Sequence, residues 1–209
     1  MKRILLLSVV MVLGCVAPFT ASAQFDLGKA LGGLLGAAAT PQPTVSPYDE
    51  IRDNAPTRSK ILGTWQYKTA SLEYLGSNAL AAVALKQLEG FGLSELKNRG
   101  IVEGCCSLTL RRNGLAVLST LDTLHDSNYT YNEDSAAVEV ISVVEGVTYR
   151  VKGFIRIVSD NLVVMIDGND VLALLEKESP EITTDQTYLT AKGLLQSLGD
   201  VYLTTIFCR

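Results

Sequence analysis

The chain has 209 residues, with 18 Lys and Arg against 22 Asp and Glu, so its formal net charge at pH 7 is −4. A mildly acidic chain without a cluster of basic residues is a poor candidate for a nucleic-acid-binding protein, because neutralising phosphates requires grouped Lys and Arg. A chain of this length can bury about 70% of its unfolded surface in one hydrophobic core, so a single domain is expected.

The N-terminus has the three-part order of a secretory signal peptide. Lys2 and Arg3 form a basic region, an apolar run extends from Ile4 to Val16, and a small-x-small cleavage site ends at Ala23. The apolar run is shorter than the roughly 20 residues that a membrane-spanning helix needs. We therefore expect export to the periplasm or outer membrane, or secretion, with cleavage between Ala23 and Gln24.

A sequence similar to a lipobox overlaps this segment and provides the alternative to ordinary cleavage. Residues 12–15 are Val-Leu-Gly-Cys, and cleavage before Cys15 would leave a lipidated N-terminus that anchors the protein to a membrane. Apolar residues follow Cys15 where lipoproteins usually have a polar tether. The site ending at Ala23 is therefore favoured, with residues 1–23 as the signal peptide and Cys15 as the candidate lipidation site.

Residues 24–59 are predicted to form a tether ahead of the domain. The segment from Phe25 to Ala39 is rich in Gly, Ala and Leu and predicts at most a weak helix, whose leucines could contact a membrane surface or pack on the domain. A proline-rich spacer follows from Thr40 to Pro47. The domain itself is predicted to cover residues 60–209.

A strand and a helical insertion open the domain. Trp65 and Tyr67 alternate with polar residues, which is the period-two pattern of a half-buried strand. The spacing then becomes helical over residues 78–90, and a second short helix is predicted over residues 94–99. The apolar face of the first helix consists of Leu80, Val83, Ala84 and Leu88.

Alternation returns after residue 104 and continues through six strands. They are predicted at 106–111, 115–121, 128–133, 136–144, 147–158 and 162–167. Asn113-Gly114 is a strong signal for a tight turn, so the strands on either side of it are expected to run antiparallel. Gly153, inside the longest strand, indicates a bulge or a bend where the sheet curls.

The C-terminal region combines two helices with one last strand. Asn169 or Asp170 is expected to cap a short helix. A Thr-x-x-Gln capping box at residues 183–186 predicts a second helix over residues 185–198, which ends at Gly199. Alternation in the last residues of the chain then predicts an eighth strand.

These elements predict a mainly β (α+β) fold, a single eight-stranded antiparallel barrel with helical insertions after the first strand and before the last. Antiparallel strands joined by short turns leave two unpaired edges, and pairing the first strand with the last removes both. The strand at 201–208, which arrives after two helices, suits this closing position. A two-sheet sandwich built from the same strands is the structural alternative.

The start of the first strand carries a resemblance to a known family. Leu62-Gly63-Thr64-Trp65 looks like the Gly-x-Trp signature of the lipocalins. With the Asn113-Gly114 hairpin and the ending Gly199-Asp200-Val201-Tyr202, residues 58–209 resemble a bacterial family of secreted lipocalin-like proteins of unknown function. The resemblance implies a lipocalin-like barrel and brings no established ligand or catalytic residue. In lipocalins a late arginine often packs over the tryptophan, and Arg209 is the nearest counterpart, although its position at the extreme terminus departs from that pattern.

No group of residues in the sequence indicates an enzyme. His125, the only histidine, is interpreted as a solvated loop residue, because a catalytic triad is recognised by its geometry in the fold. Residues 167–170, Asp-Gly-Asn-Asp, predict a turn and helix cap and lack the ligand spacing of a calcium loop. Cys105, Cys106 and Cys208 are interpreted as small apolar strand residues, with a disulfide from Cys208 as the alternative. We therefore expect neither a metal site nor a cofactor.

The leading hypothesis is a non-catalytic envelope protein whose barrel binds a small apolar ligand. Its candidate cavity-lining residues are those assigned to inward faces: Trp65, Tyr67, Leu108, Leu110, Tyr149 and Val151. Because most inward positions in small barrels simply fill the interior, the alternative is a plugged barrel. Such a barrel would act as a structural or interaction module at the outer membrane, in contact with an envelope protein or a membrane surface. A hydrolase with an unrecognised carboxylate pair is the third hypothesis.

Overall fold

The structure is a computed structural model. It describes residues 46–76, 101–120, 124–144, 146–178, 180–184 and 186–209, together with Leu85, Glu89, Leu93 and Lys97. The predicted signal peptide, the lipobox at Cys15, the cleavage site at Ala23 and Gln24, and the glycine-rich segment lie outside the described residues.

Eight strands form one closed antiparallel barrel. Their bounds are β1 Gly63–Tyr74, β2 Cys106–Leu110, β3 Leu115–Thr120, β4 Leu124–Tyr131, β5 Ala137–Val144, β6 Val147–Val158, β7 Asn161–Asp167 and β8 Val201–Cys208. Each strand pairs with its neighbours in sequence, and β1 pairs with β8. The predicted barrel is confirmed, and the sandwich alternative is wrong because the first and last strands join.

The barrel closes where β1 lies between β2 and β8. Trp65 lies opposite Leu108 of β2, and Tyr67 lies opposite Phe207 of β8. The register of β1 against β8 shifts once, between Tyr67 and Thr69. A shift of this kind increases the local twist, and strong twist allows a sheet of eight strands to curl onto itself.

The predicted turn at Asn113-Gly114 joins β2 to β3. The N–H of Arg111 donates to the carbonyl of Leu115 at 2.9 Å. Gly114 has a φ of +82°, a left-handed conformation that glycine adopts without a steric cost. The following strand, β4, starts at Leu124 and is therefore longer at its beginning than predicted, because its first residues pair with β3.

The glycine inside β6 marks a close approach between strands. Gly153 lies opposite Val138 in β5 and Ile166 in β7, and neither register shifts there. A β-carbon on Gly153 would overlap the carbonyl oxygen of Met165 and lie 2.8 Å from its carbonyl carbon. Of the bulge or bend predicted at Gly153, the bulge is wrong, because neither register shifts there, and the glycine leaves room for the backbone of β7.

The helices precede β1 or lie in the two insertions. They are α1 Pro47–Asp53, α2 Arg58–Ile61, α3 Gly168–Glu178 and α4 Gln186–Leu198, with a 3₁₀ turn at Pro180–Thr184. Between β1 and β2, Leu85, Glu89, Leu93 and Lys97 are helical. Leu85, Glu89 and Lys97 lie within the two predicted helices, whereas Leu93 was predicted to lie between them. The predicted apolar face at 80, 83, 84 and 88 lies outside the described residues. Within the described ranges, no helix has the length and apolar character needed to cross a membrane.

The helix caps in the second insertion differ from those predicted. Oδ1 of Asp167 accepts the backbone N–H of Asn169 at 2.7 Å, so the cap of α3 lies earlier than either predicted residue. The hydroxyl of Thr183 donates to the carbonyl of Pro180 at 2.7 Å, which ties it to the 3₁₀ turn instead of capping α4. The predicted end of α4 is confirmed, since Gly199 has a φ of +62° and its N–H donates back to the helix.

The described segment ahead of β1 is packed on the barrel, although its sequence predicts a tether. Ile51 of α1 is buried in a cluster with residues on the outer face of β7 and β8. The hydroxyl of Tyr48 donates to Asp200 at 2.5 Å and lies 3.1 Å from the hydroxyl of Tyr202. Burial, followed by the hydrogen bond to Asp200, raises the pKa of Tyr48 well above its usual range. Packed structure therefore begins upstream of residue 60.

The three described cysteines are not joined by disulfides. Cys106 is buried, and Cys105 and Cys208 are partly buried. Burial, followed by the proximity of Cys105, raises the pKa of Cys106. The alternative of a disulfide from Cys208 is therefore wrong for the described cysteines.

One end of the barrel is closed by α2 and the last residue. Nε1 of Trp65 donates to the carbonyl of Ile61 at 2.9 Å, and both side chains are buried. The guanidinium carbon of Arg209 lies 4.5 Å from the centre of a Trp65 ring. The terminal position of Arg209 is no obstacle to this contact, because Cys208 pairs with Gln66 and brings the terminus to the start of β1.

Arg209→Ala is expected to lower the free energy of unfolding by about 0.5–1 kcal/mol, the size of a cation–π contact made by an exposed arginine. Trp65 is the only tryptophan, so its emission reports on this site and should shift to longer wavelength as water reaches the indole. Urea unfolding followed by tryptophan fluorescence measures both effects. Arg112→Ala, in the exposed β2–β3 turn, is the control, and an equal loss of stability in both variants would refute a specific role for Arg209.

Candidate ligand-binding cavity

The interior of the barrel contains a cavity of about 380 Å³. Side chains from β2 to β8 line it, together with Leu174 of α3. Volumes above about 300 Å³ are typical of small-molecule sites. Side chains therefore do not fill this interior, which disfavours the plugged-barrel alternative.

The lining is apolar toward the closed end. Six lining residues belong to the same core cluster as Trp65: Leu110, Ala116, Tyr129, Val138, Ile155 and Phe207. Because mainly carbon atoms border the cavity at this level, water gains few hydrogen bonds there. This end therefore favours an apolar group over solvent.

Polar side chains of the lining lie toward the other end, where β4 begins and β5 ends. The hydroxyls of Ser127 and Ser142 face each other across the two strands and share a hydrogen bond. His125 lies two residues before Ser127, on the same face of β4, and also lines the cavity. A polar ligand atom at this level would therefore meet hydroxyl and imidazole groups.

Helix α3 lies beside the open end and is tied to β6. Nζ of Lys177 lies 4.4 Å from the centre of the Tyr149 ring and donates to the carbonyl of Thr148 at 3.2 Å. Near the start of the helix, Oδ2 of Asp170 accepts a backbone N–H of β6 at 2.9 Å. These contacts hold Leu174 against the cavity and place one cation at the edge of its opening.

The structure separates the six predicted cavity-lining residues into two groups. Leu108, Leu110, Tyr149 and Val151 line the cavity. Trp65 and Tyr67 are instead buried in the core and are not among its described lining residues. Tyr67 packs edge-to-face on Phe207, with ring centres 6.2 Å apart, and so supports a residue that does line the cavity.

The polar part of the lining was not predicted from the sequence. His125 was interpreted as a solvated loop residue, which is wrong, because it lies half-buried in β4. The available signal was alternation: His125, Ser127 and Tyr129 share one face once β4 is extended back to its true start. Leu174 had no such signal, since its position depends on how α3 packs against the barrel.

Two buried tyrosines near the closed end remain protonated at neutral pH. Burial raises the pKa of Tyr129 although Arg58 is near, and its hydroxyl donates to a backbone carbonyl of the β2–β3 turn at 2.9 Å. Burial, followed by Glu133, raises the pKa of Tyr131 to about 12, and this hydroxyl donates to the carbonyl of Pro56 at 2.6 Å. Both hydroxyls therefore serve as structural donors that anchor the turn and the segment before β1.

The described residues outside the interior cavity offer a weaker candidate site. In the part of the chain that is described, no three His, Cys, Asp or Glu side chains are grouped as a metal site would require. A depression of about 430 Å³ on the outer surface is bordered by Asn132, Glu139, Lys152 and Phe154. It is more open to solvent than the interior cavity and has charges of both signs, so the interior is the stronger candidate site.

Comparison with known proteins identifies a family. No curated protein and no solved structure matches the chain. Residues 41–206 match the family model described as Lipocalin-like domain (DUF4923), which covers well over half of the chain. The match includes the first seven strands and all of β8 except its last two residues. The chain therefore belongs to this lipocalin-like family of unknown function.

Proposed function

We propose that this protein is a non-catalytic binding protein of the cell envelope that holds one small amphipathic ligand inside its barrel. The observation that carries the proposal is the cavity of about 380 Å³, enclosed by the closed sheet and apolar at its closed end. Small-molecule sites are typically apolar pockets with a few placed polar groups. Eight-stranded barrels leave room for one such ligand.

Two features of the sequence support the remaining parts of the proposal. The basic, apolar and small-residue order of residues 1–23 supports export to the envelope. The absence of a recognisable nucleophile elbow, zinc motif or phosphate loop from the sequence supports binding without catalysis.

The cavity volume limits the size of the ligand. One water molecule occupies roughly 30 Å³ in the liquid, and taking this as the volume per heavy atom gives room for about a dozen non-hydrogen atoms. An unbranched chain of about eleven saturated carbons meets this limit when its small polar head lies at the opening, and dodecanoic acid has this size.

The two ends of the cavity orient such a ligand. The chain lies toward Leu110 and Phe207, because each methylene removed from water there contributes about 0.8 kcal/mol. The head lies near Ser127, Ser142 and His125, since a polar group at the apolar end would lose its hydrogen bonds without replacement.

Calorimetric titration with dodecanoic acid tests this function. We expect one molecule per chain with a Kd on the order of 1–100 µM, because about ten buried methylenes outweigh the cost of association. Hexanoic acid is the control ligand and should bind at least about a hundredfold more weakly, since it buries fewer methylenes. No binding of dodecanoic acid, or equal binding of both acids, would refute the proposal.

A further inference from the structure

Three exposed aliphatic side chains lie along one side of the cavity opening. They are Leu124 at the start of β4, Val143 near the end of β5 and Val147 at the start of β6, with 71%, 66% and 37% of their surfaces exposed. We call these three residues the apolar rim. We infer that the apolar rim docks on the surface of a lipid bilayer, so that the opening faces the acyl chains.

The strand register places the rim residues side by side. β4 and β5 are adjacent antiparallel strands, so the start of the first lies beside the end of the second. Val144 lies opposite Val147 in the β5–β6 hairpin, which puts Val143 and Val147 at the same tip. Leu124 and Val143 also line the cavity. The apolar surface is therefore continuous from the interior to the outside of the barrel.

The size and composition of the rim favour a bilayer over a protein partner. A stable protein interface buries about 800 Å² on each partner, far more than three aliphatic side chains provide. Residues that dominate protein interfaces are mainly Trp, Tyr and Arg, whereas Leu and Val are under-represented. Exposed aliphatic side chains can instead enter the boundary between headgroups and acyl chains.

The charges near the rim fit a surface of lipid headgroups. Lys177 is exposed beside Tyr149, next to Val147, where its ammonium can reach a lipid phosphate. Asp126, which also lines the cavity, brings the opposite charge to the same end. Charges of both signs suit a zwitterionic headgroup, so phosphatidylcholine is the lipid to test first.

Docking would allow the protein to take its ligand directly from a bilayer, an advantage that rests on the proposed function. A ligand with a long apolar chain partitions into membranes, and little of it is free in water. Contact between the rim and a bilayer would let the chain pass from lipid to cavity without crossing water, which removes the cost of hydrating each methylene.

Flotation of the full chain with phosphatidylcholine vesicles tests docking. Leu124→Ser combined with Val143→Ser is expected to reduce the partition coefficient about tenfold or more, because two apolar contacts are lost. Val158→Ser is the matched control and should leave partitioning unchanged. Val158 is a valine at the β6–β7 turn with 48% of its surface exposed, and that turn lies at the opposite end of the barrel.

The outcomes separate docking from ligand binding. Vesicle binding that depends on the rim, in a protein that does not bind dodecanoic acid, would support docking and refute the proposed function. Dodecanoic acid binding together with equal partitioning of all variants, or no partitioning of the wild type, would overturn docking alone. Sedimentation without vesicles provides a second check: a dimer that dissociates in the rim variant would show that a second copy covers the rim, which also overturns docking.

Discussion

Gly153→Ala is expected to lower the free energy of unfolding by about 3 kcal/mol or more, or to prevent folding altogether. The added methyl group would overlap the carbonyl oxygen of Met165, which belongs to the backbone of the neighbouring strand and cannot rotate away. β6 and β7 would have to separate where Gly153 pairs with Ile166. Separation at this point would open the closed sheet on which the cavity depends. Urea unfolding followed by circular dichroism and Trp65 fluorescence measures the loss.

Gly193→Ala is the matched control for this prediction. Gly193 is exposed in α4, and a β-carbon there would meet no atom within 4 Å. Alanine is the better helix former, so this variant should be more stable than the wild type by about 0.5–1 kcal/mol. Opposite signs for the two substitutions are expected, and a Gly153→Ala protein as stable as the wild type would refute the close approach of β6 and β7.

Val140→Trp is expected to weaken the binding of dodecanoic acid about a hundredfold. Val140 lines the cavity from the middle of β5, and an indole at this position would occupy the space of three or four ligand carbons. At about 0.8 kcal/mol for each displaced methylene, the loss amounts to roughly 3 kcal/mol. Because the cavity offers room, the free energy of unfolding should change by less than about 1.5 kcal/mol. Calorimetric titration and urea unfolding measure the two quantities separately.

Ile141→Trp places the same side chain on the opposite face of the same strand. Ile141 pairs with Asn128 and Arg150 and is not among the described lining residues of the cavity. Its substitution should leave the affinity for dodecanoic acid within about threefold of the wild type. If both tryptophans weaken binding equally, or if neither does, the ligand does not occupy the interior.

The barrel could be predicted from the sequence because its strands alternate clearly. Each of the eight predicted strands overlaps an observed one, and the predicted pairing of the first strand with the last is observed, with Tyr67 opposite Phe207. The sequence indicates that Gly153 has a structural role in its strand, but it does not show why glycine is required there. A glycine inside a strand is compatible with a bulge or with a close backbone approach, and only the packing of β7 distinguishes them.

The segment before β1 shows where local patterns fail. Its many polar residues and prolines are typical of a linker, and α1 is too short to display an apolar stripe. The buried residues Ile51, Pro56 and Ile61 hold it on the barrel, together with hydrogen bonds from the hydroxyls of Tyr48 and Tyr131. Such contacts depend on the outer surface that the folded sheet presents, which no window of sequence contains.

The sequence predicts which strand faces point into the barrel, but it does not predict at which levels the interior is open. Alternation correctly assigns Leu108 and Tyr149 to the inward face, and the same rule assigns Trp65 and Tyr67 to it. What alternation cannot determine is whether the interior at a given level is packed or open. That depends on the summed volumes of side chains from all eight strands and on the closure of one end by α2 and Arg209.

Intermolecular nuclear Overhauser effects between dodecanoic acid and the folded protein test the occupied cavity most directly. If the ligand lies in the barrel as proposed, its terminal methyl protons will show contacts with Phe207 and Leu110, and the protons next to its carboxylate will show contacts with Ser142 or His125. Contacts confined to Phe154 and the depression on the outer surface, or no contacts with the interior of the barrel, would contradict binding inside the cavity.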